Sequence, residues 1–242
     1  MNDHEVAATL AEEAGRLLLD VRAGHAADGD RLSNELLLAR LAELRPADAV
    51  LSEESVDDPV RLQRDRVWII DPLDGTREYN EMPREDWAVH VALAVGGEPV
   101  VGAVALPAAG VVLGTGRPPS PPSSHGGRPR LVVSRTRPTE LADRLAAALD
   151  AELLPMGSAG AKAMAVVRGE ADVYAHSGGQ YEWDSCAPVA VAAAAGLHVS
   201  RLDGSPLVYN QPNPYLPDLL ICRPDLAARV LEEIRRPNPR LD

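Results

Sequence analysis

The sequence contains no phenylalanine, and only 3% of its residues are aromatic. Leucine, valine and alanine must therefore fill the core of a 242-residue chain, which is long enough for one large or two small domains. No apolar run is long enough to span a bilayer, and residues 1–20 are too acidic for a signal peptide. These absences predict a cytoplasmic protein with no membrane partner.

Cysteine is also scarce, because Cys186 and Cys222 are the only two and they lack C-x-x-C spacing. Reduced, buried thiols are therefore expected rather than a disulfide. The six histidines are scattered and none has metal-ligand spacing, which argues against zinc. Positive charge is in deficit, and a net charge of −12 has the wrong sign for a protein that binds nucleic acid. A small phosphorylated substrate would need metals or a few basic residues to reverse this charge locally.

The most informative stretch covers residues 67–76, where four apolar residues are followed by two carboxylates. Residues 67–70 predict a strand buried on both faces, and Pro72 is expected to end its pairing. Asp74 and the glycine after it predict a turn, and Thr76 then adds a hydroxyl at the start of a short helical turn. Asp71 and Asp74 have no lysine between them, so they repel each other unless a cation lies there. The pattern favours Mg²⁺ or Ca²⁺, although a plain acidic turn would have the same residues.

Further acids lie upstream and downstream of this stretch. Glu53 and Glu54 follow a predicted strand, and alternation along that strand should point Glu54 to the opposite face, in a structural role. Asp184 follows Trp183 and is also a good N-cap for a helix starting at residue 185. Asp30 precedes another predicted helix, and capping that helix is an alternative to a functional role.

Periodicity predicts an α/β protein in which two layered sheets have helices between and outside them. Helices are expected at 3–23, 32–44, 139–149, 158–168, 185–195 and 224–235. Strands are expected at 49–52, 66–70, 87–95, 100–106, 111–114, 131–134, 171–175, 197–201 and 219–222. The Pro-, Ser- and Gly-rich segment 117–130 predicts a loop or seam. It would divide an N-terminal α+β subdomain (1–129), which carries the metal-binding turn, from a C-terminal α/β subdomain (130–242), which carries the last metal ligand and substrate contacts.

The chain resembles the inositol monophosphatase superfamily of Mg²⁺-dependent, Li⁺-sensitive phosphatases. The resemblance rests on Asp71-Pro72-Leu73-Asp74-Gly75-Thr76, with Ser52-Glu53-Glu54 before it and Trp183-Asp184 after it. It covers nearly the whole chain. Segments 51–55, 74–79 and 157–162 are most similar to the CysQ branch, the 3′(2′),5′-bisphosphate nucleotidases. The resemblance implies the family's layered α-β-α-β-α sandwich, an α/β fold of the α+β type.

The resemblance also implies a catalytic and metal-binding set. The catalytic residues at matching positions are Glu53, Asp71, Asp74 and Thr76. Two or three Mg²⁺ ions would be held by Glu53, Asp71, Asp74, Asp184 and the backbone carbonyl of Leu73. Thr76 and Glu53 would orient the attacking water. The family places another metal-binding acid in a Thr-x-x-Asp pattern before the second helix, where Asp30 lies without the threonine.

Substrate contacts are predicted around the metal turn and at a second helix start. The predicted set is Gly75, Thr76, Arg77, Ser158, Lys162 and Glu182. Ser158 opens a helix whose start favours phosphate, and Lys162 lies one turn along the same face; the family uses this region for the substrate's second phosphate. A surface pair with Glu78 or Glu81 is the alternative for Arg77. Residues 178–182 would supply an aromatic wall for adenine, and residues 209–211 are another candidate for it.

These inferences predict a Mg²⁺-dependent phosphomonoesterase that converts 3′-phosphoadenosine 5′-phosphate to AMP and phosphate, a recycling step of sulfate assimilation. Inositol 1-phosphate and fructose 1,6-bisphosphate are alternative substrates on the same scaffold. A haloacid-dehalogenase phosphatase is disfavoured, because its acids are two residues apart whereas Asp71 and Asp74 are three apart. A cation-binding module without turnover would need neither Thr76 nor Lys162. The sequence is compatible with a monomer or a homodimer.

Overall fold

The computed structural model describes residues 1–120 and 126–236. The helices are α1 (Asp3–His25), α2 (Gly29–Leu44), α3 (Thr76–Asn80), α4 (Glu140–Leu149), α5 (Ala159–Val167), α6 (Glu182–Ala194) and α7 (Pro224–Arg235). The strands are β1 (Ala49–Ser52), β2 (Arg66–Asp74), β3 (Ala88–Val95), β4 (Glu98–Leu106), β5 (Val111–Gly114), β6 (Arg130–Ser134), β7 (Glu152–Met156), β8 (Val173–His176), β9 (Gln180–Tyr181), β10 (His198–Ser200), β11 (Tyr215–Leu216) and β12 (Leu219–Cys222). Part of the predicted loop 117–130, namely residues 121–125, lies outside the described residues.

The strands form two five-stranded sheets and one small ribbon. The first sheet has the order β1-β2-β3-β4-β5, and the second has the order β10-β12-β8-β6-β7. The predicted Gly96-Gly97 hairpin is confirmed, since β3 and β4 pair in antiparallel fashion around it. The ribbon pairs β9 with β11. It joins two segments that are far apart in the chain.

Helices and sheets alternate in five layers, as expected for the predicted α-β-α-β-α sandwich. Helices α1 and α2 pack against one face of the first sheet, and α5 and α6 lie between the two sheets. Helices α4 and α7 cover the far face of the second sheet. The predicted fold class is confirmed.

Strand β2 shows how the sequence pattern produces this layering. Val67 and Ile69 belong to the cluster shared with α5 and α6, whereas Trp68 and Ile70 belong to the cluster shared with α1 and α2. Alternate side chains are therefore buried on opposite faces, which confirms a strand buried on both sides. The cluster between the sheets also contains Ile221, from the second half of the chain. The division into two subdomains stays a prediction.

Several element boundaries differ from the sequence-based expectation. Strand β2 continues to Asp74, with an irregular register against β3 between Asp71 and Asp74. Pro72 lies in this irregularity, as expected for a residue without an N–H, and the pairing with β3 resumes at Asp74. Helix α2 begins at Gly29, so Asp30 lies in its first turn instead of capping it. Strand β7 was not predicted.

Helix α6 begins at Glu182, three residues earlier than predicted. Asp184 is therefore in the first turn of α6 rather than at its N-cap. Its Oδ2 atom still caps the helix, because it accepts the Tyr181 backbone N–H at 2.6 Å.

The two cysteines are confirmed as buried free thiols. No helix within the described ranges is long and apolar enough to cross a bilayer.

Candidate metal centre and adjoining cavity

Three carboxylates from β2 and α6 meet beside the cleft between the two sheets. Asp71 and Asp74 come from β2 and Asp184 comes from the first turn of α6, and each offers an oxygen within 4.8 Å of the others. Asp71 and Asp74 are both buried. Carboxylate oxygens are the ligands that hard cations prefer, so this cluster could hold a metal ion.

The raised pKa values of three acids show that negative charge is in excess at this centre. Burial, followed by repulsion from Glu53 and Asp74, raises the pKa of Asp71 well above its usual value. Burial and repulsion from Asp74 raise the pKa of Asp184 to about 6. Burial of its carboxyl and repulsion from Asp184 raise the pKa of Glu53 to about 7. A bound cation would relieve this repulsion, so the donor set fits a divalent metal.

Asp74 differs from its neighbours because the protein supplies it with donors. It accepts hydrogen bonds from the Ser158 hydroxyl at 2.5 Å, the Gly160 N–H at 2.6 Å and the Ala159 N–H at 3.1 Å. Burial opposes ionisation, but nearby His90 and these donors lower the pKa of Asp74 to about 2. Asp74 thus occupies the N-terminus of α5, where the sequence predicted a substrate phosphate. The role of Ser158 in binding substrate stays a prediction.

Glu53 and Glu54 lie in a turn after β1, so alternation along a strand does not govern them. Both residues are largely exposed, yet the Glu53 carboxyl lies against Asp71 and can share a proton with it. Glu54 lies outside the three-carboxylate cluster.

Asp30 and Thr76 meet at the edge of this centre. The Thr76 hydroxyl lies 3.5 Å from Oδ1 of Asp30 and 3.3 Å from the Leu73 carbonyl oxygen. Burial and the negative charge of Glu54 raise the pKa of Asp30 to about 6. The structure therefore brings Asp30 next to the predicted catalytic threonine.

A cavity of about 570 Å³ opens beside the carboxylates. The predicted site residues that line it are Glu53, Asp74, Gly75, Thr76, Arg77, Ser158, Lys162 and Asp184. The sequence did not predict residues 134 and 136–139, Tyr174, His176 or Tyr215 on its wall. These residues come from the second sheet and its connections, and no local pattern links them to the metal turn.

The Lys162 ammonium group hydrogen-bonds to backbone carbonyl groups of the protein. It is buried, and its Nζ atom donates to the carbonyl oxygens of Gly157 at 2.6 Å and Ser158 at 2.8 Å. Burial lowers its pKa. Two of its three donors therefore hold the start of α5, the same helix end that binds Asp74.

Two exposed arginines, Arg77 and Arg137, also line the cavity. Among the described residues, Arg77 forms no ion pair with Glu78 or Glu81, the two surface partners considered for it. Arg135 contacts both of these glutamates instead. Arg135 lies 2.5 Å from Glu78 and 2.8 Å from Glu81.

Glu182 is not among the residues that line the cavity, and its assignment as a substrate contact stays a prediction. It is buried, and its oxygens accept the backbone N–H groups of Asn210 at 2.6 Å and Gln211 at 2.8 Å. Tyr209 is also buried, with its hydroxyl 3.1 Å from Ser185 Oγ. Residues 209–211 thus anchor a loop behind α6 and are not a base-binding wall.

Tyr181, Trp183 and Tyr215 form a group of aromatic side chains on the cavity wall. The rings of Tyr181 and Trp183 stack at 4.8 Å with an interplanar angle of 8°, and Tyr215 meets Tyr181 edge-on at 6.0 Å. Tyr215 is directly opposite Tyr181 in the β9–β11 ribbon. The predicted aromatic at 178–182 is therefore present, with a second tyrosine that the sequence analysis missed.

Comparison with known proteins agrees with this architecture. The model of the inositol monophosphatase family matches residues 6–236. A Mycobacterium leprae (strain TN) protein named 3′-phosphoadenosine 5′-phosphate phosphatase is 52% identical over 255 residues, covering 97% of this chain and 94% of that protein. The Escherichia coli (strain K12) protein named 3′(2′),5′-bisphosphate nucleotidase CysQ is 32% identical over 201 residues, covering 77% of this chain and 80% of that protein.

A solved structure, that of CysQ from Bacteroides thetaiotaomicron, superimposes with a TM-score of 0.77 at 27% identity, covering 91% of this chain and 97% of that one. This chain belongs to the inositol monophosphatase family.

Proposed function

We propose that this protein is a Mg²⁺-dependent phosphomonoesterase that hydrolyses 3′-phosphoadenosine 5′-phosphate to AMP and phosphate. The observation that carries the proposal is one cavity that opens beside the three-carboxylate cluster, with Asp74 and Asp184 in its lining, and that has two exposed arginines and the tyrosines of the β9–β11 ribbon on its wall. Such a cavity offers separate places for a metal-bound phosphate, a second anion and a flat base. The names of the relatives that match most of the chain support this substrate.

The metal ligands would be Asp71, Asp74, Asp184, Glu53 and the Leu73 carbonyl, holding two or three Mg²⁺ ions. Bound there, Mg²⁺ would activate a water and neutralise the leaving oxygen of an in-line displacement. Asp71 would bridge two of the ions. The hydrogen bonds from α5 keep Asp74 ionised and fix its orientation before any metal binds.

Thr76 and Glu53 would orient the attacking water. The Thr76 hydroxyl lies within reach of Asp30 and the Leu73 carbonyl, and it can donate its one hydrogen bond to either of them. The lone pairs of its oxygen then remain available to accept a hydrogen bond from water. The Glu53 carboxylate offers a second acceptor for the hydrogen bonds of that water.

The second phosphate of the substrate would lie near Arg77 and Arg137. Lys162 supports this site indirectly, by holding the start of α5, and Gly75 and Thr76 flank the phosphate to be cleaved. A hydrogen bond to a charged group contributes about 1.5–3 kcal/mol, which corresponds to roughly a 10–150-fold preference. One such contact is enough to favour a bisphosphate over a monophosphate.

The test is phosphate release from 3′-phosphoadenosine 5′-phosphate, 5′-AMP, inositol 1-phosphate and fructose 1,6-bisphosphate, with Mg²⁺ and with EDTA. We expect the highest kcat/KM for 3′-phosphoadenosine 5′-phosphate and no turnover with EDTA. Equal efficiency on all four substrates would exclude the nucleotidase assignment. A preference for inositol 1-phosphate or fructose 1,6-bisphosphate would replace it with the corresponding phosphatase activity.

A further inference from the structure

Gln180 is a buried amide that the reaction described above does not use. It lies in β9, lines the cavity and is only 7% exposed. Neither its Nε2 nor its Oε1 atom has a hydrogen-bond partner among the described residues. A buried amide without partners destabilises a folded protein, so its presence calls for a physical reason.

The surroundings of Gln180 are flat and aromatic. Tyr181 and Tyr215 come from the two strands of the ribbon and line the same cavity. Gly179 makes this arrangement possible, because its φ is +75° and a Cβ atom there would lie 2.1 Å from the Tyr215 hydroxyl oxygen. His176 holds the turn through a 2.9 Å contact between its Nε2 atom and the Gly179 carbonyl oxygen.

We infer that Gln180, Tyr181 and Tyr215 form a subsite for a nucleobase, preferably a purine with a hydrogen-bonding group at C6. The base stacks against the tyrosines, and the Gln180 carboxamide pairs with a donor and an adjacent acceptor on the base edge. The inference rests on the proposed function, because it assigns the residues that recognise the base of the proposed nucleotide.

The chemistry of the carboxamide supports this assignment. It presents an acceptor oxygen and a donor nitrogen side by side, which complement the N6–H and N1 or N7 of adenine. Since no described protein group orients the amide, it can turn over and pair equally with hypoxanthine. A purine with only hydrogen at C6 retains the ring acceptors and loses one hydrogen bond. Gln180 therefore distinguishes substituted from unsubstituted purines.

The test compares kcat/KM for the 3′,5′-bisphosphates of adenosine and of purine riboside, which lacks the 6-amino group. The wild-type protein should prefer adenosine by roughly 2–10-fold, as expected for one neutral hydrogen bond. In Gln180→Leu the ratio should fall to about 1. Gln63→Leu, at an exposed position away from the cavity, is the matched control and should retain the wild-type ratio.

Thermal unfolding of substrate-free Gln180→Leu provides a second readout. Leucine removes the unpaired amide at similar volume, so Tm should stay or rise. A lower Tm with an unchanged substrate ratio would show that Gln180 has a purely structural role and would overturn the inference.

Binding to Tyr215→Ala tests the stacking without turnover. Wild-type protein should bind AMP more tightly than ribose 5-phosphate in calorimetry. Base stacking on an aromatic side chain corresponds to roughly 5–150-fold in affinity, and Tyr215→Ala should remove much of that difference. Tyr215→Phe, which keeps the ring, should retain it.

The two proposals can fail separately. Absence of nucleotide hydrolysis, together with base-dependent AMP binding that Tyr215→Ala weakens, would reject the proposed function and keep the subsite. Efficient hydrolysis with equal kcat/KM for both bisphosphates, and with ratios unchanged in Gln180→Leu, would reject the subsite and keep the proposed function.

Discussion

The Nε2 atom of His90 lies 3.2 Å from the Oδ2 atom of Asp74, and both side chains are buried. The other ring nitrogen, Nδ1, is 3.0 Å from the Trp183 carbonyl oxygen. Because acceptors face both nitrogens, the ring is favoured with a proton on each. Burial opposes that charge, but Asp74 outweighs it and raises the pKa of His90. A buried ion pair therefore connects the metal turn of β2 to β3, beside the start of α6.

Breaking this ion pair should destabilise the metal-free protein. His90→Leu leaves Asp74 buried with its remaining donors, and we expect a loss near the lower end of the usual 3–5 kcal/mol, so about 3 kcal/mol. A raised pKa means that the contribution of His90 is complete below pH ~6.5 and disappears as pH rises through its folded-state pKa. Urea unfolding with EDTA at pH 6 and pH 9 should therefore show that His90→Leu loses more free energy of unfolding, relative to the wild type, at pH 6 than at pH 9.

His198→Leu is the matched control for this experiment. His198 lies in β10 and contacts Ser200 Oγ at 2.9 Å, away from the acids. If His90→Leu lost the same free energy of unfolding at both pH values, the result would contradict the ion pair.

Asp71→Asn should abolish turnover and leave the protein folded. In the proposed site this carboxylate bridges the cations, while its loss removes repulsion from Glu53 and Asp74 in the metal-free state. The Tm measured with EDTA should therefore stay or rise, and the increase in Tm on adding Mg²⁺ should shrink. Asp20→Asn, on the exposed surface, should match the wild type in every measurement. Near-normal phosphatase activity in Asp71→Asn would exclude the bridging role.

Stabilisation by Mg²⁺ should depend on pH. Asp184 and Glu53 have folded-state pKa values of about 6 and about 7, above their ordinary values near 4. Ionising them in the metal-free protein is unfavourable, so their contribution to stability falls as pH rises from about 4 to about 7. Asp74, with a pKa of about 2, acts in the opposite sense, and its contribution is lost only as pH falls from about 4 through 2.

Bound Mg²⁺ removes this penalty, so saturating Mg²⁺ should raise Tm more at pH 8 than at pH 5. Protons also compete with the metal at pH 5. Calorimetric or fluorescence melting curves at the two pH values would measure the difference. Equal increases would show that these carboxylates do not bind the ion.

Arg137 and Lys162 should affect substrate preference differently. Arg137→Ala should reduce kcat/KM for 3′-phosphoadenosine 5′-phosphate by at least about 10-fold, the effect of losing one charge-assisted contact, and affect inositol 1-phosphate little. Lys162→Ala should impair both substrates by similar factors, because Lys162 holds the α5 end that orients Asp74. A direct contact between Lys162 and the second phosphate, which the family resemblance implies, would instead make Lys162→Ala harm the bisphosphate most.

Arg128→Ala is the matched control for Arg137→Ala. Arg128 is exposed, pairs with Asp150 at 2.6 Å and lies outside the cavity. Selective loss of the bisphosphate activity in Lys162→Ala, with no such loss in Arg137→Ala, would show that Lys162 and not Arg137 binds the second phosphate.

Residues that are neighbours in the chain could be interpreted without the structure. The run from Val67 to Thr76 predicts a doubly buried strand, two acids and a tight turn, because each of these features depends on adjacent residues. Helix and strand periodicity likewise predicted most of the layers. Motif resemblance added the distant residues Glu53 and Asp184 to the predicted metal ligands.

The hydrogen-bond partner of each polar group depends on how distant segments pack together. Ser158 hydrogen-bonds Asp74 from 84 positions along the chain, so the α5 amides that a sequence assigns to phosphate are already occupied. Glu182 meets the loop at residues 210 and 211, and Tyr215 comes to lie opposite Tyr181 only because β9 and β11 pair. A buried donor or acceptor must be satisfied by whichever group the fold brings near it. The packing of the two sheets around α5 and α6 determines which groups become neighbours. The local spacing of residues in the sequence does not predict this packing.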